Sequence, residues 1–181
     1  MEPLQITEKI KEAFPAEVLG VTEFRGQVSV HLKREKVLDI CRFLHDTPEL
    51  AMDYLMDLCG VDYLGKKDDG GRFEVVYHLY SMEHRHMLRL RVRVPGSDPK
   101  IASVMPVWKG VNWHERECFD MFGIVFEGHP DLRRILLPED WEGHPLRKDY
   151  PVQGRSGDEE WRGFKEVLEI SEKLKEFEWE R

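Results

Sequence analysis

Histidine and cysteine residues at two places in the chain have spacings that could bind a metal ion. His114 and Cys118 lie four residues apart in a stretch with helical periodicity, so both side chains would face the same side of a helix. His129 and His144 each lie in the tetrapeptide Glu-Gly-His-Pro, at 127–130 and 142–145. Glycine allows a turn and proline favours extended backbone before it, so two such turns could bring the imidazoles together. For His114 and Cys118 the alternative is a capped helix with a buried thiol. For His129 and His144 it is two similar turns whose histidines bind backbone carbonyls. No further pair at ligand spacing supports a metal site.

The stretch HERECFDMFG, residues 114–123, interleaves carboxylates with arginine. Arg116 and Asp120 have the i, i+4 spacing of an ion pair on a helix. Carboxylates this dense could perform general acid–base chemistry, but no nucleophile motif, phosphate loop or cofactor fingerprint accompanies them. A structural or interface role is therefore the favoured interpretation.

The composition excludes several classes of protein. The net charge of -8 disfavours nucleic-acid binding, which requires a surplus of lysine and arginine at the contact surface. Three cysteines without a C-x-x-C motif are unsuited to a disulfide framework or a four-cysteine metal or iron–sulfur site. No apolar run approaches the roughly 20 residues that span a bilayer, and the N-terminus lacks the features of a signal peptide. We therefore expect a soluble, cytoplasmic protein that meets a membrane only through a partner.

The periodicity predicts the elements that must position these residues. We expect a helix at 4–14, a β-hairpin at 17–33, a helix with Val37, Ile40, Cys41 and Leu44 on one face, a strand ending at Gly65, and a β pair at 72–95. Ser97 or Asp98 before Pro99 resembles a helix start. Another helix should follow Asn112 as its N-cap, with Glu115 completing a capping box, and end at Gly123. The order α-β-β-α-β-β-β-α-α indicates an α+β fold, a two-layer arrangement of a sheet with helices on one face.

Residues 126–154 follow neither period and contain four prolines together with many large apolar residues. Such a stretch is rare inside a compact domain and is typical of a segment that lies along a surface, its own or a partner's. Residues 158–178 return to the periodicity of an amphipathic helix. We therefore predict a core domain at 1–125 and a C-terminal docking arm and helix at 126–181.

Trp113 to Pro151, WHERECFDMFGIVFEGHPDLRRILLPEDWEGHPLRKDYP, resembles the NADH dehydrogenase 30 kDa subunit family, a subunit of the proton-pumping NADH–quinone oxidoreductase, respiratory complex I. The resemblance covers residues 35–152. It implies a cofactor-free subunit in the hydrophilic arm of the complex, peripheral on the cytoplasmic side of the inner membrane, where it packs on the quinone-pocket subunit and neighbouring iron–sulfur subunits.

The resemblance also implies that FMN, iron–sulfur clusters and quinone are bound by other subunits, so that this chain has no active site of its own. Membrane-bound hydrogenases and related ferredoxin- or quinone-linked complexes contain an equivalent subunit and remain the alternative. A metal-dependent enzyme that uses His114, Cys118, His129 and His144 is a less favoured one. The implied roles of the matching residues are structural and interfacial. The candidate interface residues are Glu115, Arg116, Glu117, Asp120, Phe122, His129, Pro130, Leu132, Arg133, Arg134, Ile135, His144, Arg147, Asp149 and Tyr150.

Overall fold

A computed structural model describes residues 1–66, 71–152 and 162–175. The chain forms two units, Met1–Lys148 and Asp149–Arg181. The elements of the first unit are α1 (Pro3–Ala13), β1 (Val18–Phe24), β2 (Gln27–Leu32), α2 (Val37–Asp46), β3 (Tyr54–Asp62), β4 (Phe73–Tyr80), β5 (Met87–Val94), β6 (Lys100–Ala102), α3 (Val111–Phe122) and β7 (Val125–Glu127). The second unit contains α4 (Arg162–Lys175).

Five strands form a mixed sheet in the order β1-β2-β5-β4-β3. The hairpin β1–β2 and the pairs β4–β5 and β3–β4 are antiparallel, whereas β2 and β5 run parallel. The helix after β2 makes this parallel pairing possible, because a parallel neighbour needs a crossover connection. The predicted hairpin and β pair are confirmed.

The core lies on one face of this sheet. Along β5, Leu88, Leu90, Val92 and Val94 are buried, and the intervening arginines lie on the other face, as their alternation predicts. Side chains from α1, α2 and α3 join the same hydrophobic cluster, among them Ile6, Ile10, Ile40, Leu44 and Cys118. The predicted α+β class, a sheet with helices on one face, is confirmed.

The prediction of a helix that starts near Ser97 is wrong. Residues Lys100–Ala102 instead form β6, which pairs in parallel with β7, so that Ile101 lies opposite Phe126. Both side chains are buried, and Asp98 binds Arg34 rather than capping a helix. The local capping signal at 97–99 is therefore overridden by burial of Ile101 against a segment more than twenty residues away.

Helix α3 is confirmed, but its predicted N-cap is wrong. The helix begins at Val111 after Gly110, and Asn112 is its second residue. Glu115 does not close a capping box but is buried in the interior. Gly123 ends the helix with φ 72°, a left-handed conformation that glycine adopts without strain, as predicted.

The predicted division into a core domain at 1–125 and a C-terminal docking arm and helix at 126–181 stays a prediction. In the chain itself, residues 126–148 group with the first unit. Parts of the segments at 126–154 and 158–178 lie outside the described residues. The described side chains of α4 include the exposed Val167, Leu168 and Ile170.

Candidate docking site on helix α3

Asp120 is the central side chain of the best-organised polar site. Its carboxylate has no solvent-exposed area, and Oδ1 accepts a hydrogen bond of 2.6 Å from Nη1 of Arg134. Oδ2 accepts three backbone N–H groups in succession, from Ile135 at 3.0 Å, Leu136 at 2.8 Å and Leu137 at 2.9 Å. Burial alone would raise the pKa of Asp120, but these donors outweigh it and hold the pKa below its usual value. The charged carboxylate thus holds residues 134–137 against α3.

Two arginines bind the carbonyl groups of the same segment. Arg116 of α3 donates from Nε to the carbonyl of Arg133 at 3.1 Å and from Nη2 to that of Arg134 at 3.0 Å. Arg134 donates in turn from Nη2 to the carbonyls of Trp141 and Gly143, at 2.8 and 3.1 Å. The predicted ion pair between Arg116 and Asp120 is therefore wrong. Each of these residues instead binds the segment that follows the helix.

The C-terminal end of α3 is capped by residues 144–147. The last carbonyl groups of a helix have no partner within the helix and must find one elsewhere. Here the imidazole of His144 donates from Nδ1 to the carbonyl of Asp120 at 2.9 Å, and the guanidinium of Arg147 donates to that of Phe122 at 2.6 Å. The N–H of Leu146 donates to the carbonyl of Met121 at 3.1 Å. Burial lowers the pKa of His144, which favours the neutral imidazole.

Gly123 allows this close approach. A Cβ atom at this position would overlap the side chains of both Arg147 and His144. The segment then ends at the sheet, where the N–H of Lys148 donates to the carboxylate of Asp62 at 2.8 Å. Asp62 is also bound by Arg72, at 2.9 Å. We call residues 129–148 the latched arm, because hydrogen bonds to α3 and β3 fix this segment along its length.

Glu115 joins α3 to the turn after β6. Its carboxylate accepts hydrogen bonds from the hydroxyl of Ser103 at 2.6 Å and from the N–H of Val104 at 2.8 Å. Burial raises the pKa of Glu115 to about 7, although both hydrogen bonds oppose the shift. The arrangement is a buried carboxyl group with two donors, and it faces the interior.

The residues proposed for a metal site do not converge. The imidazole of His114 lies 3.5 Å from Asp57, and the buried thiol of Cys118 faces the carbonyl of Leu58 at 4.0 Å. His129 approaches the backbone of Asn112 in the first turn of α3, whereas His144 binds the carbonyl of Asp120, eight residues further along. Eight residues of helix correspond to about 12 Å. The two Glu-Gly-His-Pro turns thus flank opposite ends of one helix.

The candidate interface residues fall into three groups by their exposure to solvent. Buried residues are Glu115, Arg116, Asp120 and Phe122; partly buried residues are His129, Leu132, Arg134, Ile135, His144, Arg147 and Tyr150; exposed residues are Glu117, Pro130, Arg133 and Asp149. Their contacts with another subunit stay a prediction. Sequence reasoning missed Asp62 and Ser103, because each acts through a contact with a distant part of the chain that no local motif signals.

The fold and this site define a class of protein: an α+β domain whose most elaborate polar network holds a segment of its own chain on a helix. A comparison with protein families identifies it further. Residues 30–156 match the family described as the respiratory-chain NADH dehydrogenase, 30 Kd subunit. The chain belongs to this family.

Individual relatives agree with this assignment. The chain is 54% identical over 147 residues to the NADH-quinone oxidoreductase subunit designated C of Roseiflexus castenholzii, covering 81% of this chain and 83% of the relative. It is 53% identical over 146 residues to the protein of the same name from Geobacter sulfurreducens, covering 81% and 88%. The predicted family is confirmed.

Solved structures share the fold. A structure described as the trypsin-resistant fragment (1-134) of Nqo5 is 32% identical, with a TM-score of 0.62, and covers 73% of this chain and 100% of that chain. A chain from an archaeal membrane-bound sulfane sulfur reductase has a TM-score of 0.67 over 100% of this chain and 98% of that one. At 20% identity this second likeness concerns the fold alone.

Proposed function

We propose that the chain is a non-catalytic core subunit in the hydrophilic arm of an NADH–quinone oxidoreductase, the complex that transfers electrons from NADH to quinone and couples this to proton translocation. The role of this chain in the assembly is to present a preformed docking surface. The observation that carries the proposal is the latched arm: Asp120 and Arg134 fix an irregular segment on α3 in one geometry. A segment fixed before binding loses less conformational entropy on association.

The latched arm and α3 expose a set of side chains suited to protein contacts. We define the docking patch as Trp113, Arg133, Leu136 and Leu146. Leu136 is 62% exposed and Trp113 is 58% exposed, although their backbones are held in regular or latched structure. Tryptophan and arginine are enriched among the residues that dominate binding energy at interfaces. We assign the quinone-pocket subunit as the main partner, with neighbouring iron–sulfur subunits beside it.

We further propose that FMN, the iron–sulfur clusters and quinone are bound by other subunits and that this chain has no active site. The three cysteines of the sequence are one short of the four thiolates that hold a typical cluster. Cys41 and Cys118 are buried in the core, and burial raises the pKa of both thiols, which disfavours the thiolate form that binds metal or acts as a nucleophile.

The proposed location is the cytoplasmic side of the inner membrane, reached through the complex. Within the described residues, none of the helices combines the length and the apolar character that a bilayer span requires. The net charge of -8 also provides little attraction to anionic lipid or nucleic acid. Attachment through partner subunits fits both observations.

The equivalent subunit of a membrane-bound hydrogenase or related complex is the alternative function. The fold shared with a chain of the archaeal sulfane sulfur reductase at 20% identity does not distinguish this alternative from the main proposal. The much higher identity to subunits of NADH-quinone oxidoreductases favours the NADH–quinone branch. Purification of the tagged chain from its native membranes separates the two, because flavin- and quinone-pocket subunits or hydrogenase subunits would accompany it.

The docking patch is tested by the double substitution Leu136→Asp and Leu146→Asp. We expect the purified chain to keep its melting temperature, since both side chains are more than half exposed, and to lose co-purification of the partner subunits. Leu19→Asp is the matched control, because Leu19 is 60% exposed on the edge strand β1, away from the patch. Full assembly with the double variant would refute the patch, and loss of assembly with the control alone would place the interface elsewhere.

A further inference from the structure

Three side chains of types that can bind a metal lie on the face of the sheet opposite the core. Asp57 of β3 lies directly opposite His78 of β4, so the two side chains share a face. Cys59 lies two residues along β3 from Asp57 and therefore on the same face. Strand pairing thus places a carboxylate, a thiol and an imidazole at the corners of one triangle.

An irregularity in β3 creates this register. The pairing shifts between Leu55 and Asp57, which leaves Met56 as an extra residue in the strand. A bulge of this kind redirects the side chains that follow it. Here it brings Asp57 opposite His78, where an unbroken ladder from Leu55 would have placed Met56. The bulge is therefore the feature that completes the triad.

One ligand atom from each of Asp57, Cys59 and His78 lies within 4.8 Å of the other two. A tetrahedral zinc ion bound through sulfur, nitrogen and oxygen has bonds of about 2.0–2.3 Å, so its ligand atoms lie somewhat closer together than this. We propose that Asp57, Cys59 and His78 form a binding site for a zinc-type divalent ion. Small rotations of the three side chains bring the ligand atoms to that spacing, while both backbones stay in the sheet.

The chemistry of the three donors selects the class of metal. A thiolate and an imidazole favour Zn²⁺ and similar transition metals, whereas Mg²⁺ and Ca²⁺ require mainly oxygen ligands. The thiol of Cys59 releases its proton to solvent when the sulfur–metal bond forms.

The triad supplies three ligands and leaves the fourth position of a tetrahedral site open. Asp57 is about half exposed, and Cys59 and His78 are partly buried, so an ion in solution can reach them. The imidazole of His114 lies 3.5 Å from the carboxylate of Asp57 and can orient it or complete the coordination. A bound ion would fasten the edge strand β3 to β4 and, through His114, to α3. This role is independent of the docking patch.

Titration of the full-length, metal-free chain with Co²⁺, followed by competition with Zn²⁺, tests the site. We expect one equivalent of Co²⁺ to produce a thiolate-to-cobalt charge-transfer band, one equivalent of Zn²⁺ to remove it, and Zn²⁺ to raise the melting temperature. Cys59→Ser should abolish the band, and His78→Ala should weaken Co²⁺ binding at least about tenfold.

Two control variants make the result decisive. His31→Ala removes a partly buried histidine from the same face of the sheet, and Cys118→Ser removes a thiol outside the triad; both should bind as the unaltered chain does. Metal-free melting curves establish that each variant is folded. The proposal is overturned if the unaltered chain gives no charge-transfer band, or if Cys59→Ser binds Co²⁺ as the unaltered chain does.

Discussion

Replacing Asp120 by asparagine should strongly destabilise the chain, because the carboxylate neutralises a guanidinium in the interior of the latched arm. Its side chain accepts four hydrogen bonds, three from consecutive backbone N–H groups and one from Arg134, and has no exposed area. A hydrogen bond to a charged group contributes about 1.5–3 kcal/mol. Asparagine keeps one oxygen that can accept some of these N–H groups, but it loses the charge and turns an NH₂ group toward donors.

The expected decrease in the free energy of unfolding is therefore about 3–5 kcal/mol at pH 7, the range found when one member of a buried ion pair is removed. Urea unfolding followed by circular dichroism measures it as a fall in the midpoint concentration. Asp131→Asn is the matched control, since Asp131 pairs with the neighbouring Arg133 at 3.0 Å but both side chains are more than half exposed. Such a surface pair is worth about 0–1 kcal/mol. Equal, small effects of the two substitutions would refute the structural role of Asp120.

Acid provides a second test of the same contact. The folded-state pKa of Asp120 is lower than its value in the unfolded chain, so the native state binds fewer protons than the unfolded state as the pH falls below about 4. The stability that this carboxylate contributes is present above that range and is lost as the pH falls through the folded-state pKa. The difference in stability between the unaltered chain and Asp120→Asn should therefore narrow on acidification. A constant difference from pH 7 to pH 3 would contradict this assignment of the charge.

Three further predictions test neighbouring contacts. Glu115→Gln should flatten the pH dependence of the melting temperature between pH 5 and pH 8. The pKa of Glu115 is raised to about 7, so the protonated carboxyl stabilises the fold and this contribution is lost as the pH rises through 7. An unchanged slope would refute this. Gly123→Ala should lower the free energy of unfolding by more than about 1 kcal/mol, and by more than Gly128→Ala does. Both glycines have positive φ, but only a Cβ at position 123 would meet side chains of the latched arm. Equal urea midpoints for the two variants would contradict this. Arg133→Glu should lower co-purification of partners without changing the melting temperature, because its side chain is exposed. Arg134→Glu should lower the melting temperature, because Arg134 pairs with the buried Asp120. The reverse pattern would contradict both assignments.

Local signals in the sequence predict the elements but not the partners of their polar residues. Periodicity gives the position of α3 and glycine gives its end, since both depend on neighbours within a few residues. The sequence pairs Arg116 with Asp120 because i, i+4 is one of the two spacings at which side chains on a helix are neighbours. Their actual partners lie 14 to 18 residues away in an irregular segment, and no periodic rule specifies that distance.

Long-range pairing also explains the error at β6. Residues 97–99 have the composition of a helix start, and the competing signal is the apolar alternation around Ile101, which is only three residues long as a strand. Its stability comes from pairing with β7, a second three-residue strand that follows α3. Neither strand is recognisable alone. The contact between Lys148 and Asp62, which are separated by 86 residues, likewise cannot be predicted from local sequence, because it depends on the three-dimensional fold of the sheet.

The absence of regular structure in the latched arm explains why its contacts rely on charged residues. A segment that packs on protein outside a helix or sheet must still satisfy its backbone N–H and carbonyl groups. In this arm side chains provide the partners: Asp120 accepts three N–H groups, while Arg116 and Arg134 each donate to two carbonyls.

These buried charges are therefore required by the chain's own backbone, although their pattern resembles an interface motif. The inward-facing charges determine the shape of the arm, and the outward-facing Arg133, Leu136 and Leu146 are the exposed side chains that we propose contact a partner. Substitutions of the first group should alter assembly only as far as they unlatch the arm. Substitutions of the second group should alter assembly while the arm stays in place, and the comparison of Arg134→Glu with Arg133→Glu measures that separation directly.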